Sequence, residues 1–182
     1  MESRIKLVGH PLHPMLVVFP LGLLSTAVVF DLIYLVNDDV RWTEIAFYLI
    51  GAGLVGGLAA AIPGWIDWWA IPPQTRAKRV GLVHGAGNVV VLGLFIVSWL
   101  IRQPAPGAPS MRAIAAGLIG IVIVMGTAWL GGELVDRLGV GVDDGANLDA
   151  PNSLVTRQAR ERRAREQAKY PGMDRRAPGS AP

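Results

Sequence analysis

Residues 15–36, MLVVFPLGLLSTAVVFDLIYLV, decide the fold, because these 22 consecutive residues carry a single charged side chain, Asp31. Their length matches the roughly 20 apolar residues that a helix needs to cross the hydrocarbon core of a bilayer. Three further runs of the same character follow at residues 45–62, 80–101 and 113–130. The pattern therefore predicts four transmembrane helices.

The composition of the whole chain also indicates a membrane protein. Of the 182 residues, 52% are hydrophobic, and the mean hydropathy of +0.41 exceeds that of ordinary soluble domains. The predicted fold class is all-α, an integral membrane up-and-down four-helix bundle formed by residues 1–142. Because the chain has no cysteine, disulfides, thiolate metal sites and iron–sulfur ligation are excluded.

Residues 143–182 differ in composition from the predicted bundle. The segment 157–182 alone holds eight of the seventeen basic residues. We expect a basic, largely disordered tail whose first half forms a short helix on the bilayer surface, attracted by anionic lipid. The tail has no motif or aromatic pattern of nucleic-acid recognition, so we predict no nucleic-acid partner.

Basic residues near the ends of the apolar runs predict the orientation in the membrane. One side carries Arg4, Lys6, Arg76, Lys78, Arg79 and Arg137, whereas the other carries Arg41, Arg102 and Arg112. The side richer in basic residues is normally cytoplasmic. We therefore expect a multi-pass protein of the inner (plasma) membrane with both termini in the cytoplasm.

The three histidines of the chain are the candidate ligands for a cofactor. His10 and His13 precede the first run, and His84 lies about one turn inside the third. Up-and-down threading returns all three to one face of the membrane. Ionisable groups inside membrane segments are functional candidates by default, so this convergence predicts a site.

Acidic residues provide candidate partners for these histidines. Asp67 follows the second run and Glu133 follows the fourth, which places both on the histidine face. Asp31 belongs near the opposite face, because it lies 18 residues, or roughly 27 Å of helix, beyond His13.

Three uses of the histidines are open at this point. In the preferred one, His13 and His84 are the axial ligands of a haem b that transfers electrons, with His10 as substitute or supporting partner. In the second, His10, His13 and His84, with Asp67 or Glu133, hold zinc or another divalent transition metal. In the third, the same groups relay protons, although no repeated half of the sequence favours a transporter.

The haem hypothesis gives roles to further residues. Asp67 and Glu133 would orient the imidazoles or balance the charge of ferric iron. Gly81 and Gly85 would leave room for the porphyrin. No nucleophile, metalloprotease or nucleotide-binding motif occurs, which favours an electron carrier or binding protein over a hydrolase. The competing class is a non-haem metal-binding or scaffold membrane protein.

Several motifs of the chain, in order, resemble one bacterial membrane family. They are Gly9-His10-Pro11-Leu12-His13-Pro14-Met15, Phe19-Pro20-Leu21-Gly22, Asp31, Pro63-Gly64-Trp65-Ile66-Asp67, His84 with Asn88, and Gly131-Gly132-Glu133-Leu134-Val135. Over residues 8–142 the chain resembles the four-helix membrane proteins of domain-of-unknown-function family 2231.

The resemblance implies the fold more than an activity. It carries over His10, His13, Asp31, Asp67, His84 and Glu133 as site residues without assigning their roles. Some family members are joined to Rieske-type iron–sulfur domains, which implies that the membrane part works together with redox proteins. Since this chain has no cysteine, an iron–sulfur donor would be a separate protein. A homodimer is a further expected partner, and the lipid bilayer is the expected environment.

Overall fold

A computed structural model describes residues 1–154 together with Glu161, Arg165, Ala168 and Lys169. Contacts divide the chain into Met1–Asp144 and Gly145–Pro182. In the second unit, the Asn147 side chain bonds with the backbone at Gly145 and Asp149. The surface helix and the disorder expected for the basic tail fall almost entirely outside the described residues.

Four long helices build the first unit, as the apolar runs predict. They are α1 Leu12–Asn37, α2 Val40–Ala70, α3 Arg76–Arg102 and α4 Met111–Gly132, and a π-helical turn, Glu133–Arg137, continues α4. Each is long and apolar enough to span a membrane, the fourth together with the π-helical turn, and each span contains an 18-residue window with a mean hydropathy of at least 2.1. A two-stranded hairpin, β1 Lys6–Leu7 with β2 His10–Pro11, precedes α1. The all-α four-helix fold class is confirmed.

The second helix is much longer than the apolar run 45–62. Its N-cap is Asp39, whose side chain accepts a hydrogen bond from the Arg41 amide, and the helix continues from Val40 through Pro63 to Ala70. Asp67 therefore lies within α2 rather than in a loop after it. The apolar run underestimates the helix because polar and aromatic residues continue it beyond the hydrocarbon core.

Two helical hairpins form the bundle. Helix α1 packs most extensively on α2, and α3 packs on α4, whereas contacts between the hairpins are fewer. Large apolar side chains point outward along the helices, and those of Val55, Val122 and Met125 are about 70% exposed. A soluble bundle would bury such side chains, so the outer surface is suited to lipid.

The two hairpins repeat one packing pattern, although the sequence shows no obvious repeated half. Three pairs of residues from α1 and α3 are each 71 positions apart: His13 with His84, Leu24 with Phe95, and Asp31 with Arg102. All three pairs occupy corresponding places in their hairpins. The similarity is in packing positions more than in residue types, so it was not identified from the sequence.

The second helices of the hairpins are related by a shift of 67 positions. Gly53 of α2 packs on Leu24, and Gly120 of α4 packs on Phe95 in the same way. Ala46 and Ala113, also 67 positions apart, are both fully buried. The hairpins are therefore related by an approximate two-fold axis along the bundle. Helices α1 and α3 are at diagonal corners of the bundle, on opposite sides of this axis. A side chain of α1 that touches its equivalent on α3 must therefore lie close to the axis.

Close packing at Gly53 gives a stability prediction. A Cβ at this position would lie 2.6 Å from Leu24 Cδ2, so Gly53→Ala overfills the core. We expect a loss of about 1–3 kcal/mol in the free energy of unfolding, measured in detergent by SDS or thermal titration. Gly22→Ala is the matched control, because its Cβ would meet open space and alanine favours helix. Equal effects of both substitutions would contradict this packing.

Candidate functional site

His13 and His84 meet between the two hairpins. Their ring centroids are 6.4 Å apart and their ring planes are almost perpendicular, at 89°. Both side chains are half-buried. Since one histidine comes from α1 and the other from α3, the pair joins the two hairpins beside the approximate two-fold axis. We call the end of the bundle that holds this pair the histidine end.

Each imidazole is held by a backbone carbonyl of its own hairpin. His13 Nδ1 lies 2.8 Å from the Ala60 carbonyl oxygen, and His84 Nδ1 lies 2.8 Å from that of Thr127. A carbonyl oxygen only accepts hydrogen bonds, so Nδ1 must carry the proton in both rings. In the neutral imidazole this leaves the Nε2 lone pair as the metal-binding atom.

A glycine one helical turn beyond each carbonyl makes room for each ring. A Cβ at Gly64 would lie 2.7 Å from His13 Nδ1, and a Cβ at Gly131 would lie 3.2 Å from His84 Cε1. Gly64 and Gly131 are 67 positions apart, as are Ala60 and Thr127. In each hairpin, a backbone carbonyl and a glycine four residues later thus orient one histidine.

The two histidines differ in the side chains beside them. Polar side chains lie next to His84 in the second hairpin, whereas the equivalent positions near His13 are apolar. The Asn88 amide nitrogen lies 3.3 Å from His84 Nε2 and donates to the His84 carbonyl at 2.9 Å. The Thr127 hydroxyl donates to Asn88 Oδ1 at 3.0 Å. Valine at position 17 and alanine at position 60 occupy the equivalent places in the first hairpin.

The two carboxylates expected to support the imidazoles have other partners. Asp67 accepts hydrogen bonds from the Ser3 hydroxyl, at 2.7 Å, and from the Arg4 amide, at 2.6 Å. Glu133 accepts from Arg76 at 2.6 Å. Backbone carbonyls therefore orient the rings, while Asp67 and Glu133 bind the N-terminal segment and the start of α3.

His10 lies in the β-hairpin rather than on α1. It pairs with Leu7 across a turn formed by Val8 and Gly9, which both have positive φ angles. Its side chain is exposed. Within the part of the chain that the structure describes, no three of His, Cys, Asp and Glu come together as metal ligands. The three-histidine metal site is therefore not assembled in this structure.

The N-terminal segment that includes His10 is bound through charged groups. Lys6 Nζ donates to Glu2 Oε2 at 2.5 Å. This hydrogen bond, together with one from the Asp144 amide, lowers the pKa of Glu2 below its ordinary value. Glu2 in turn raises the pKa of Lys6. The segment is thereby connected to the chain that follows α4.

The two glycines expected to leave room for a porphyrin differ in their surroundings. A Cβ at Gly81 would lie 2.7 Å from Trp68 Cδ1, so this glycine accommodates Trp68. The Trp68 indole donates to the Lys78 carbonyl, and Lys78 Nζ lies 3.9 Å from the ring centroid. At Gly85, next to His84, a Cβ would meet open space. Of these two glycines, only Gly85 adjoins open space.

Asp31 lies at the opposite end of the bundle, away from the histidines. Arg102 donates to both of its carboxylate oxygens, at 2.7 and 2.6 Å. The two side chains are at most 1% exposed. Arg102 is one of the flanking basic residues from which the orientation was predicted, but its charge is buried and not solvated. We call this end the arginine end.

Thr127 was not predicted as a neighbour of His84, and Arg102 was not predicted as the partner of Asp31. Both residues lie in or beside apolar runs and carry no motif of their own. A signal was nevertheless present, because Leu21-Gly22-Leu23 follows His13 at the same spacing as Leu92-Gly93-Leu94 follows His84. Aligning these two stretches pairs His13 with His84 and Asp31 with Arg102.

Comparison with known proteins gives one match. The family model described as "Predicted membrane protein (DUF2231)" matches residues 9–144. No curated protein and no solved structure matches the chain. The match covers all four helices and both histidines of the central pair.

Proposed function

Because this chain belongs to the DUF2231 family of predicted membrane proteins, and its two hairpins each contribute one histidine to a central pair, we propose that it binds haem b between His13 and His84 and transfers electrons. The observation that carries the proposal is the fixed orientation of both imidazoles. Each Nδ1–H is held by a backbone carbonyl, so each Nε2 is the ligand atom.

The spacing of the two rings suits one shared iron. A metal–imidazole bond is about 2 Å long, so two imidazoles on opposite sides of an iron have centroids roughly 6 Å apart. The observed separation is 6.4 Å. A tetrahedral metal would draw the two rings closer together. The spacing therefore supports haem over zinc, and the lack of a third nearby ligand among the described residues points the same way.

Haem would supply the redox couple when bound, and residues of this chain would hold and orient it. Ala60 and Thr127 carbonyls set the tautomer of the ligands, and Gly64 and Gly131 let the rings approach the helices. Lipid and apolar side chains around the pair would exclude water from the bound group. Since one chain provides both ligands, the proposed site requires no second copy.

Electron transfer requires partners outside this chain. The proposed donor is a separate protein, such as an iron–sulfur protein, because the chain has no cysteine. The histidine end carries Arg4, Lys6, Arg76 and Arg137, which supports a cytoplasmic location for it in the plasma membrane. A donor on that side would reach the haem without crossing the bilayer.

Optical spectra of the purified full-length protein test the proposal. We expect protein from haem-supplied cells to show a sharp α-band on dithionite reduction, as six-coordinate b-type haem does. His13→Ala and His84→Ala should each remove the sharp band, since each removes an axial ligand. Asp31→Asn is not a suitable control, because Asp31 is buried in an ion pair, so His10→Ala serves instead and should keep the band.

A colourless wild-type protein would refute haem binding. Metal analysis of the same sample would then separate the two remaining functions. Stoichiometric zinc or another transition metal, lost in His13→Ala, would establish the metal-binding alternative. Protein free of both haem and metal would leave the scaffold function.

A further inference from the structure

We propose that the tip of the β1–β2 hairpin, formed by Leu7 and Val8, inserts into the phospholipid headgroup region at the histidine end, where the exposed Arg4 guanidinium binds lipid phosphate. The partner of this surface is the bilayer that the four helices are suited to cross. This membrane anchor does not require haem at the histidine pair, so it stands or falls separately from the proposed function.

Val8 has a backbone conformation that valine rarely adopts. Its φ angle is 52° and that of Gly9 is 85°, while Leu7 and His10 pair on either side of them. Two positive φ angles in a two-residue hairpin loop are typical of a type I′ turn, which favours asparagine at the first position. A β-branched residue with a positive φ angle is sterically strained. The requirements of the turn therefore do not explain the valine.

The Val8 side chain also gains little from packing within the described chain. Val8 is 60% exposed, and its neighbour Leu7 is 51% exposed. Single exposed apolar residues are common on protein surfaces, but here exposure coincides with a strained backbone. Asparagine would relieve the strain and would be well hydrated, so contact with water does not explain the valine either. Contact with an apolar environment outside the chain explains both the residue type and its exposure.

Hydrogen bonds to α2 hold the chain before this hairpin near the edge of the bilayer. His13 contacts the Ala60 carbonyl, and Asp67 is seven residues further along α2, roughly 10 Å farther from the bilayer centre. Asp67 accepts hydrogen bonds from the Ser3 hydroxyl and the Arg4 amide. The segment that leads into β1 therefore lies beyond the level of the histidine pair.

Aromatic and basic side chains at this level fit the headgroup region. Trp65 and Trp69 flank Asp67 on α2, and they are 51% and 68% exposed. Tryptophan is enriched at membrane–water interfaces, where its ring meets both apolar and polar surroundings. Arg4 is exposed nearby, and a guanidinium binds phosphate through paired hydrogen bonds. An apolar tip, a cationic side chain and interfacial tryptophans together match the chemistry of a phospholipid surface.

Spin labelling tests the depth of the tip. Because the chain has no cysteine, Val8→Cys gives a single site for a nitroxide label in the full-length protein, held in nanodiscs of phosphatidylethanolamine and phosphatidylglycerol. Val122→Cys, on the exposed surface of α4, is the lipid reference, and Asp38→Cys, in the exposed turn after α1, is the aqueous reference. We expect the ratio of oxygen to nickel-chelate accessibility to be several-fold higher at position 8 than at position 38. Equal ratios at these two positions would overturn the proposal.

Methyl NMR with the native valine is the second measurement, because a nitroxide label is itself apolar. A nitroxide-bearing lipid in the nanodisc should broaden the Val8 methyl resonances more than a gadolinium chelate in the water does. Val8→Asn, which suits the turn, identifies these resonances by their loss and should leave thermal unfolding nearly unchanged. Broadening of the Val8 methyls by gadolinium alone would overturn the anchor and place the tip in water, within reach of a soluble partner.

Discussion

Arg102→Met is expected to lower the free energy of unfolding by about 3–5 kcal/mol, the largest effect of any single substitution considered for this bundle. The variant leaves the Asp31 carboxylate buried without a partner, and an unpaired buried charge is strongly destabilising. The wild-type pair is bidentate and at most 1% exposed. SDS or thermal unfolding in detergent micelles measures the loss.

The arginine end offers little that could replace the missing guanidinium. Thr43 lies 3.4 Å from Asp31 Oδ1, a weak contact, and it also accepts from Arg102 at 3.1 Å. Ser98 donates to the Ala113 carbonyl at 2.7 Å and so is already engaged. The network therefore depends on Arg102, which connects α3 to α1 and α2.

Removing both charges should cost less than removing one. In Asp31→Leu/Arg102→Met no buried charge remains, and such replacements are often close to neutral. We expect the double variant to be more stable than either Arg102→Met or Asp31→Leu. Arg41→Met is the control, since the Arg41–Asp39 pair is exposed and should contribute little. Strictly additive losses in the double variant would show that the two charges do not interact.

At the proposed haem site, Gly64→Ala is expected to weaken haem binding by about 10–100-fold, the range found when the groups that orient a metal ligand are altered. The new Cβ would lie 2.7 Å from His13 Nδ1 and 2.8 Å from Cε1. The ring must then leave the Ala60 carbonyl, and Nε2 loses its position. Haem titration of the purified protein measures the affinity.

A graded series of glycine substitutions separates ring displacement from loss of fold. Gly131→Ala should have a smaller effect, because its Cβ would lie 3.2 Å from His84. Gly93→Ala, whose Cβ meets open space, should bind haem as the wild type does. Alanine stabilises a helix relative to glycine by about 1 kcal/mol, so the helices are expected to persist. Wild-type affinity in folded Gly64→Ala would contradict the role of Gly64.

Apolar run length was enough to predict the membrane helices, because crossing a bilayer imposes a minimum length on any helix. Helix ends were predicted less well. The structure extends α2 through Pro63 to Ala70, since lipid no longer constrains residue choice beyond the hydrocarbon core. The convergence of His13 and His84 also followed from threading, because helix direction alone places both near the same membrane face.

The sequence by itself determined the four membrane helices, the family, and the common end of the two histidines. The length of an apolar run and the alternating direction of successive membrane helices both follow from the order of residues along the chain. Only the tertiary structure decided which groups touch. It assigned the imidazoles to the carbonyls of Ala60 and Thr127, separated His10 from the pair, and joined Asp31 to Arg102. These contacts depend on how two hairpins pack around an approximate two-fold axis, and packing brings together residues that the sequence keeps 71 positions apart.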